Sequence, residues 1–469
     1  MNDFASLRPD WREQIAQVGK TNFELAEMIR LGFLDDLNLS GLADLRRQIE
    51  ANSAELQEVL GELERVTSEL DGLPEVQAVL REIRRQRIER VAHLRKFRKA
   101  EKALEQIQRV ESRMEDDLAR PRFLGRGVSS KLSFVGGDDS ALASAGLPVV
   151  HDLEELSNLM KLAPRSIQWL CFERAVTATD HYSRFEIPKR TGGLRLISAP
   201  KPTMRQAQEW IKDSVLSLLM PSDFATGFRE GVSILDNATP HIGAKLVIRM
   251  DIKDFFPSIT FSQIQKFFEE LGYNPGMATI FALLCTDAPR VRVEAGDKTR
   301  WVSRGYRSLP QGACTSPGLA NLIARDLDER VSGQLVELDQ RWTYTRYADD
   351  LVISTPAENP WVGKALSILR DAVKAEGFKV NDKKTAVMRR PHRQTVTGLV
   401  VSEDSVRIQR KDLKRVRSLL YRCERDGVEV VSEQLGSSAL HVVRGHLAYI
   451  QMIMPETAAR LRAKHPWVI

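Results

Sequence analysis

Residues 343–355 read TYTRYADDLVIST. β-Branched and aromatic residues on both sides of Ala348-Asp349-Asp350 predict strand, turn, strand. Two neighbouring carboxylates at a hairpin tip repel one another unless a cation neutralises them; a solvated turn could carry the same pair. Working outward, residues 245–259 read KLVIRMDIKDFFPSI. The run Leu246-Val247-Ile248, interrupted by Arg249, predicts a buried strand. Asp251 ends it, where open sheets commonly place ligands. Carboxylates from separate strands would complete a site for Mg²⁺, which prefers oxygen ligands. Asp254 suits a helix N-cap or a surface acid better than a ligand. Residues 308–331, SLPQGACTSPGLANLIARDLDERV, predict a loop around Gln311 and then a helix from Ser316-Pro317, with proline in its first turn. Leu319, Leu322, Ile323 and Leu327 form its apolar face. That loop-helix is either purely structural or, through Gly312, Ala313, Gly318 and Ala320, open to close approach by a flat base pair.

At 469 residues the chain suits two to four domains of roughly 100–200 residues each. It is 42% hydrophobic and 28% charged, enough to bury a core. Bases exceed acids by 69 − 63 = 6, a balance that fits a nucleic-acid partner without requiring one. No apolar run long enough for a membrane span is present, and the start, MNDFASLRPDWREQ, lacks an apolar signal core. Cys171, Cys285, Cys314 and Cys423 are scattered, which predicts reduced thiols in a cytoplasmic protein.

The N-terminal part is predicted to be helical. Heptads from Leu42 place Leu42, Ile49, Leu56, Leu63 and Leu70 at a, and Leu45, Asn52, Val59, Val66 and Leu73 at d. A second helical stretch runs from about Glu75 to Met114. Residues 42–73 hold eight acids against three bases, and residues 81–102 hold ten bases against three acids. Either the arms face each other in an antiparallel hairpin or the basic arm grips RNA; the two readings are compatible. Gly, Ser and Asp clusters in 115–146 mark a linker, with a domain boundary near Gly146. Mixed α/β patterning follows to residue 402, then helix. Within 407–423, RIQRKDLKRVRSLLYRC, seven bases accompany one acid, and Leu413, Val416, Leu420 and Cys423 fall at helical spacing.

These segments resemble the ordered motifs of reverse transcriptases: DIKDFFPSI, QGACTSP, YADD, GFKVNDKKT (377–385) and VTGLVV (396–401), preceded by FEIPKRTGGLRLISAP (185–200). Asn237-Ala238-Thr239-Pro240-His241 and Val396-Thr397-Gly398 match the NAxxH and VTG patterns of retron reverse transcriptases. The N-terminal extension resembles that of the larger myxobacterial-type enzymes. The resemblance implies an α/β right-hand polymerase: an all-α extension (1–146), fingers and ferredoxin-like palm (147–402), and a helical thumb (403–469).

It also implies roles. Asp251, Asp349 and Asp350 would be the catalytic carboxylates around two Mg²⁺ ions, which Mn²⁺ could replace; Asp350 would sit slightly off. Tyr347 would lie beside the primer end. Phe256 would screen the sugar 2′ position, unless it shares the core with Phe255. Lys189, Arg195, Gln311 and Lys384, with Lys383 as rival, would contact the incoming dNTP; Lys189 and Arg195 also suit a solvated surface. Asn237, His241, Thr397, Gly398, Arg410 and Lys414 would contact RNA or primer. A core histidine and a simple turn are the plain alternatives for His241 and Gly398. The implied product is a branched RNA–DNA molecule copied from a noncoding RNA, primed by a guanosine 2′-hydroxyl, in antiphage defence. Its partners would be that RNA, its cDNA, dNTPs and an effector protein, with self-association through the N-terminal helices and no membrane contact. A group II intron-like or orphan reverse transcriptase, and a noncatalytic RNA-binding scaffold, are the rival readings.

Overall fold

The computed structural model describes residues 10–18, 20, 23, 24, 27, 30, 31, 52, 55–66, 76–189, 192–296 and 298–468. The chain forms two compact units, residues 1–122 with 163–168, and residues 123–162 with 169–469. In the first, α1 (Val76–Ala119) is one long helix. Most of the heptad segment lies outside the described residues. Residues 55–66 are helical; there the a-type Leu56 and Leu63 are half-buried, while the d-type Val59 and Val66 are exposed. Glu64 of this acidic stretch accepts a bond from Arg90 of α1 at 2.6 Å.

The second unit reaches back to Phe123, earlier than the boundary expected near Gly146. Tight backbone packing explains the difference. Gly276 N–H donates to the Ser133 carbonyl and Asp138 N–H to that of Gly272, both at 2.7 Å. A Cβ on Gly276 would fall 2.8 Å from the Phe134 ring, so only glycine admits that contact.

Strands β1 (Tyr182–Pro188) and β2 (Leu194–Pro200) form an antiparallel hairpin. The central sheet contains β3 (Leu246–Asp251), β4 (Thr343–Tyr347), β5 (Asp350–Thr355) and β6 (Ala386–Arg389), ordered β4-β5-β3-β6 with every neighbour antiparallel. Helices α2 (Ser316–Ile323) and α3 (Arg325–Leu338) lie between β3 and β4, and the helix Val362–Ala375 lies between β5 and β6. This is the ferredoxin-like βαββαβ order. β3 is central, which explains its nearly unbroken apolar run: Leu246, Val247, Ile248 and Met250 are all buried. The helix expected to run from Ser316 through Leu327 is divided at Ala324, which joins α2 to α3.

Val247 and Val352 of this sheet share a core with Val396 and Leu399 of the small 394–408 sheet and with Val416, Leu420 and Val443 of the C-terminal helices. α4 (Arg410–Asp426) opens that helical segment. It buries Val416, Leu419, Leu420 and Cys423 and leaves Arg410, Lys411, Lys414, Arg415 and Arg417 exposed. One apolar stripe thus fixes the helix on the sheet and turns its cations outward.

Candidate active site

Asp251, the last residue of β3, pairs in register with Asp350, the first of β5. Ile252 N–H donates to the Asp349 carbonyl at 2.8 Å. Asp251 and the adjacent pair Asp349-Asp350, about a hundred residues away along the chain, therefore meet at one sheet end. Among the described residues no group of three or more His, Cys, Asp or Glu side chains is arranged to hold a metal ion. Two cations flank the acids instead. Lys384 Nζ lies 2.5 Å from Asp251 Oδ1, and Asn381 Nδ2 donates to Asp251 Oδ2 at 3.0 Å. Arg249 Nε stands 3.7 Å from Asp350 Oδ1, too far for a hydrogen bond, and that oxygen is buried without a hydrogen-bond partner. Burial pushes the Asp350 carboxyl up to about 7, with the charges of Asp349 and Asp251 adding to the rise and Arg249 opposing it. Burial, then Asp251, raises Asp349 as well, while Lys384 and Arg195 oppose the rise. The site is short of positive charge.

The turn that presents these acids is strained and braced. Ala348 adopts φ 55°, a left-handed conformation costing an ordinary residue about 1 kcal/mol. Gly227 presses against it: a Cβ there would lie 2.8 Å from Ala348 N. Arg346 is fully buried. Its Nε and Nη2 donate to the two oxygens of Asp328 of α3, each at 2.7 Å, and Nη1 donates to Asn321 Oδ1 at 3.0 Å and to the Ala348 carbonyl at 3.3 Å. Tyr344 donates its hydroxyl to Asp328, and Asn321 donates to the Gly227 carbonyl. None of Arg346, Asp328, Asn321, Gly227 or Asn381 was singled out in the sequence. The available signal was a lone arginine two residues after Tyr344, hence on the same strand face.

Phe255 is core, packed 5.5 Å from Phe378 between centroids. Phe256 is half-exposed beside Phe228, at 6.0 Å, and Phe228 lies 6.2 Å from Tyr347. These three rings form a wall next to the acids; Phe228, itself at φ 59°, is a further residue that motif reading missed. Asp254 occupies the N-cap position of Phe255–Ser258 but makes no capping bond. The Gln311 carbonyl accepts from Ser198 N–H of β2 at 2.7 Å. Gly312, at φ 120°, packs so closely that a Cβ would sit 2.9 Å from the Ser198 carbonyl. The loop is thereby held on the hairpin, where Lys189 and Arg195 are both exposed.

Asn237 and His241 differ from expectation. Both side chains are fully buried and cannot touch RNA in this structure. His241 Nδ1 bonds Ser354 Oγ at 2.7 Å and Nε2 bonds Thr345 Oγ1 at 2.8 Å, across β5 and β4. Asn237 Oδ1 accepts from Thr226 Oγ1, and its Nδ2 reaches Thr397 Oγ1 at 3.5 Å. The NAxxH and VTG segments are thus fastened to each other and to the strands bearing the acids. The capped turn Ile234–Ala238 and the 3₁₀ turn Thr239–His241 that follows roll Asn237 and His241 inward, which spacing alone does not reveal. Thr397 and Gly398 form the turn itself, at φ 44° and 86°.

Burial lowers the His241 imidazole to about 4. The unfolded chain then binds more protons between about pH 6.5 and 4, so stability is full above 6.5 and falls through that window. The His241 share is up to about 3 kcal/mol. His181, also lowered to about 4, adds to the same slope. Urea denaturation from pH 7 to 4.5 should therefore give a flatter dependence for His241→Gln than for the natural protein.

A family model for reverse transcriptase (RNA-dependent DNA polymerase) matches residues 187–408. Retron Ec86 reverse transcriptase of Escherichia coli is 32% identical over 68% of this chain and 90% of its own length. This chain belongs to the retron reverse transcriptases. The enzyme is 36% identical to retron Mx65 reverse transcriptase of Myxococcus xanthus, over 69% of this chain and 73% of the relative. It is 37% identical to retron Mx162 reverse transcriptase of the same organism, over 66% of this chain and 65% of the relative. It is an RNA-directed DNA polymerase, and its family uses divalent metal ions. Among the described residues no helix is long and apolar enough to cross a membrane.

Proposed function

We propose that the enzyme copies a noncoding RNA of its own retron into a branched RNA–DNA molecule that serves antiphage defence. The observation that carries the catalytic part is the junction of Asp251, Asp349 and Asp350, with Asp350 Oδ1 buried and unbonded. Carboxylates held together against burial and like charge are a donor set suited to a divalent cation. Asp251 and Asp349 would hold two Mg²⁺ ions, or Mn²⁺, with Asp350 supporting; incoming phosphates would complete the ligand shells. When bound, such ions activate the attacking hydroxyl and stabilise the departing pyrophosphate.

The chain's own residues orient the reactants. Asn381 and Lys384 fix the Asp251 carboxylate from both oxygens. Arg195, close enough to bias Asp349, would meet the triphosphate with Lys189, and Gln311 the nascent base pair. Lys384, rather than Lys383, is the lysine in contact with the acids, so it would assist pyrophosphate release. Tyr347, Thr397 and Gly398 would border the primer, and the exposed Arg410 and Lys414 would follow its phosphates without reading sequence.

Phe256 would exclude a ribose 2′-hydroxyl. Phe256→Ala is expected to raise ribonucleotide incorporation relative to dNTPs by roughly 100-fold, with dNTP use little changed; single-nucleotide extension assays measure the ratio. The retron reading itself is tested by sequencing nucleic acid co-purified with the protein and treating it with debranching enzyme. DNA joined to RNA through a 2′,5′ linkage, released by that treatment, is the expected result. DNA whose mobility does not change would favour a group II intron-like or orphan enzyme.

A further inference from the structure

Ten of the residues from Arg81 to Lys102 of α1 are basic; seven share one face, while the exposed Arg87 and Arg98 lie beside it and Arg90 opposite. At 3.6 residues per turn, Arg81, Arg84, Arg95, Lys96, Lys99 and Lys102 fall within about 120° of arc. All six are exposed, and none has an ion pair among the described residues. Arg85 shares the arc and pairs only with Glu82 of its own helix. The three acids of the segment, Glu82, Glu89 and Glu101, lie outside the arc.

The opposite face carries the half-buried Ile83, Arg90, Leu94, Phe97 and Leu104, and there Arg90 meets Glu64 of the acidic stretch. The acidic stretch thus engages the face away from the cations. What remains is a stripe about 31 Å long at 1.5 Å per residue, basic at both ends, Arg81–Arg85 and Arg95–Lys102, with the exposed Ile88 and Ala92 between them.

We propose that this stripe binds the phosphate backbone of duplex RNA, holding a stem of the RNA that the enzyme copies. A rigid helix with a cation cluster at each end of the arc, about 15 Å apart at 1.5 Å per residue, can meet the phosphates of a rigid, evenly charged rod. Single-strand binders add aromatic platforms for unstacked bases, and the helix's one Phe, Tyr or Trp, Phe97, is on the opposite face. The RNA identity of the partner rests on the function proposed above; the backbone chemistry rests on the helix alone.

The test compares the full-length protein with a combined variant, Arg81→Gln, Arg84→Gln, Arg95→Gln, Lys96→Gln, Lys99→Gln and Lys102→Gln. The probe is an RNA duplex of roughly 16 base pairs, titrated over a range of salt. The variant is expected to bind roughly 100-fold more weakly near physiological salt, with the slope of log K against log salt reduced by about 5. Extension of a short annealed primer on a generic RNA template should be unchanged, since these residues are not in the polymerase site. A companion variant that exchanges Arg for Lys and Lys for Arg at the same positions should bind as the natural protein does. Unchanged duplex affinity and slope in the Gln variant overturn the inference. So does equal loss in the charge-preserving variant, which would assign the effect to folding, or loss of a bound protein with RNA affinity intact. Primer extension that fails already in the natural protein would contradict the polymerase reading and leave the duplex titration to judge the stripe by itself.

Discussion

Asp349→Ala is expected to abolish DNA synthesis on an RNA template, with a rate fall of at least about 10³-fold, while RNA affinity in a filter-binding assay stays unchanged. Losing a direct metal ligand removes several kcal/mol of transition-state charge stabilisation, and each 1.36 kcal/mol is about tenfold in rate. The same variant should be more resistant to urea than the natural protein in metal-free buffer. The side chain removed is a half-buried carboxylate repelled by Asp251, so its loss relieves a conflict that a bound cation would otherwise resolve. Lower activity with higher stability separates a catalytic acid from a structural one. Synthesis persisting in Asp349→Ala would contradict the assignment.

Arg346→Ala should be the most destabilising single change near the site. It strands the fully buried Asp328, and breaking such a pair costs about 3–5 kcal/mol. The role of Arg346 can be divided further. Arg346→Met combined with Asp328→Leu replaces the pair with apolar groups of similar bulk and should recover part of the stability in urea denaturation, the buried Tyr344 hydroxyl and Asn321 Oδ1 being left without these partners. It cannot restore the donor to the Ala348 carbonyl, so the turn carrying Asp349 loses its brace. Primer extension by the double variant should therefore remain depressed, with a raised Mg²⁺ requirement. Full recovery of activity along with stability would show that Arg346 acts only through packing.

Much of the palm was legible because its signals are local. β-Branched residues around Ala348-Asp349-Asp350 imply the hairpin, the apolar run before Asp251 implies the central strand, and Ser316-Pro317 marks the helix start where α2 begins. The amphipathic stripe of α4 was equally plain. What stayed hidden depends on distant partners. Arg346 and Asp328 look like ordinary charges until folding joins a strand to a helix. Phe228 sits in a loop with no periodicity to reveal it. Asn237 and His241 show a further limit: their spacing marked an important segment, but which way the side chains point was decided by two short consecutive turns, Ile234–Ala238 and Thr239–His241. The break at Ala324 carried no signal, since alanine favours helix continuation.

The central claim is that the three acids hold the divalent ions of polymerisation. Mn²⁺ titrated into the complex of enzyme, RNA template, DNA primer and a non-incorporable dNTP, followed by electron paramagnetic resonance, addresses it most directly. Two bound, spin-coupled ions per protein are expected, reduced to one or none in Asp349→Ala and in Asp251→Asn. The same ion count in natural and substituted proteins would place the metals elsewhere and contradict the account.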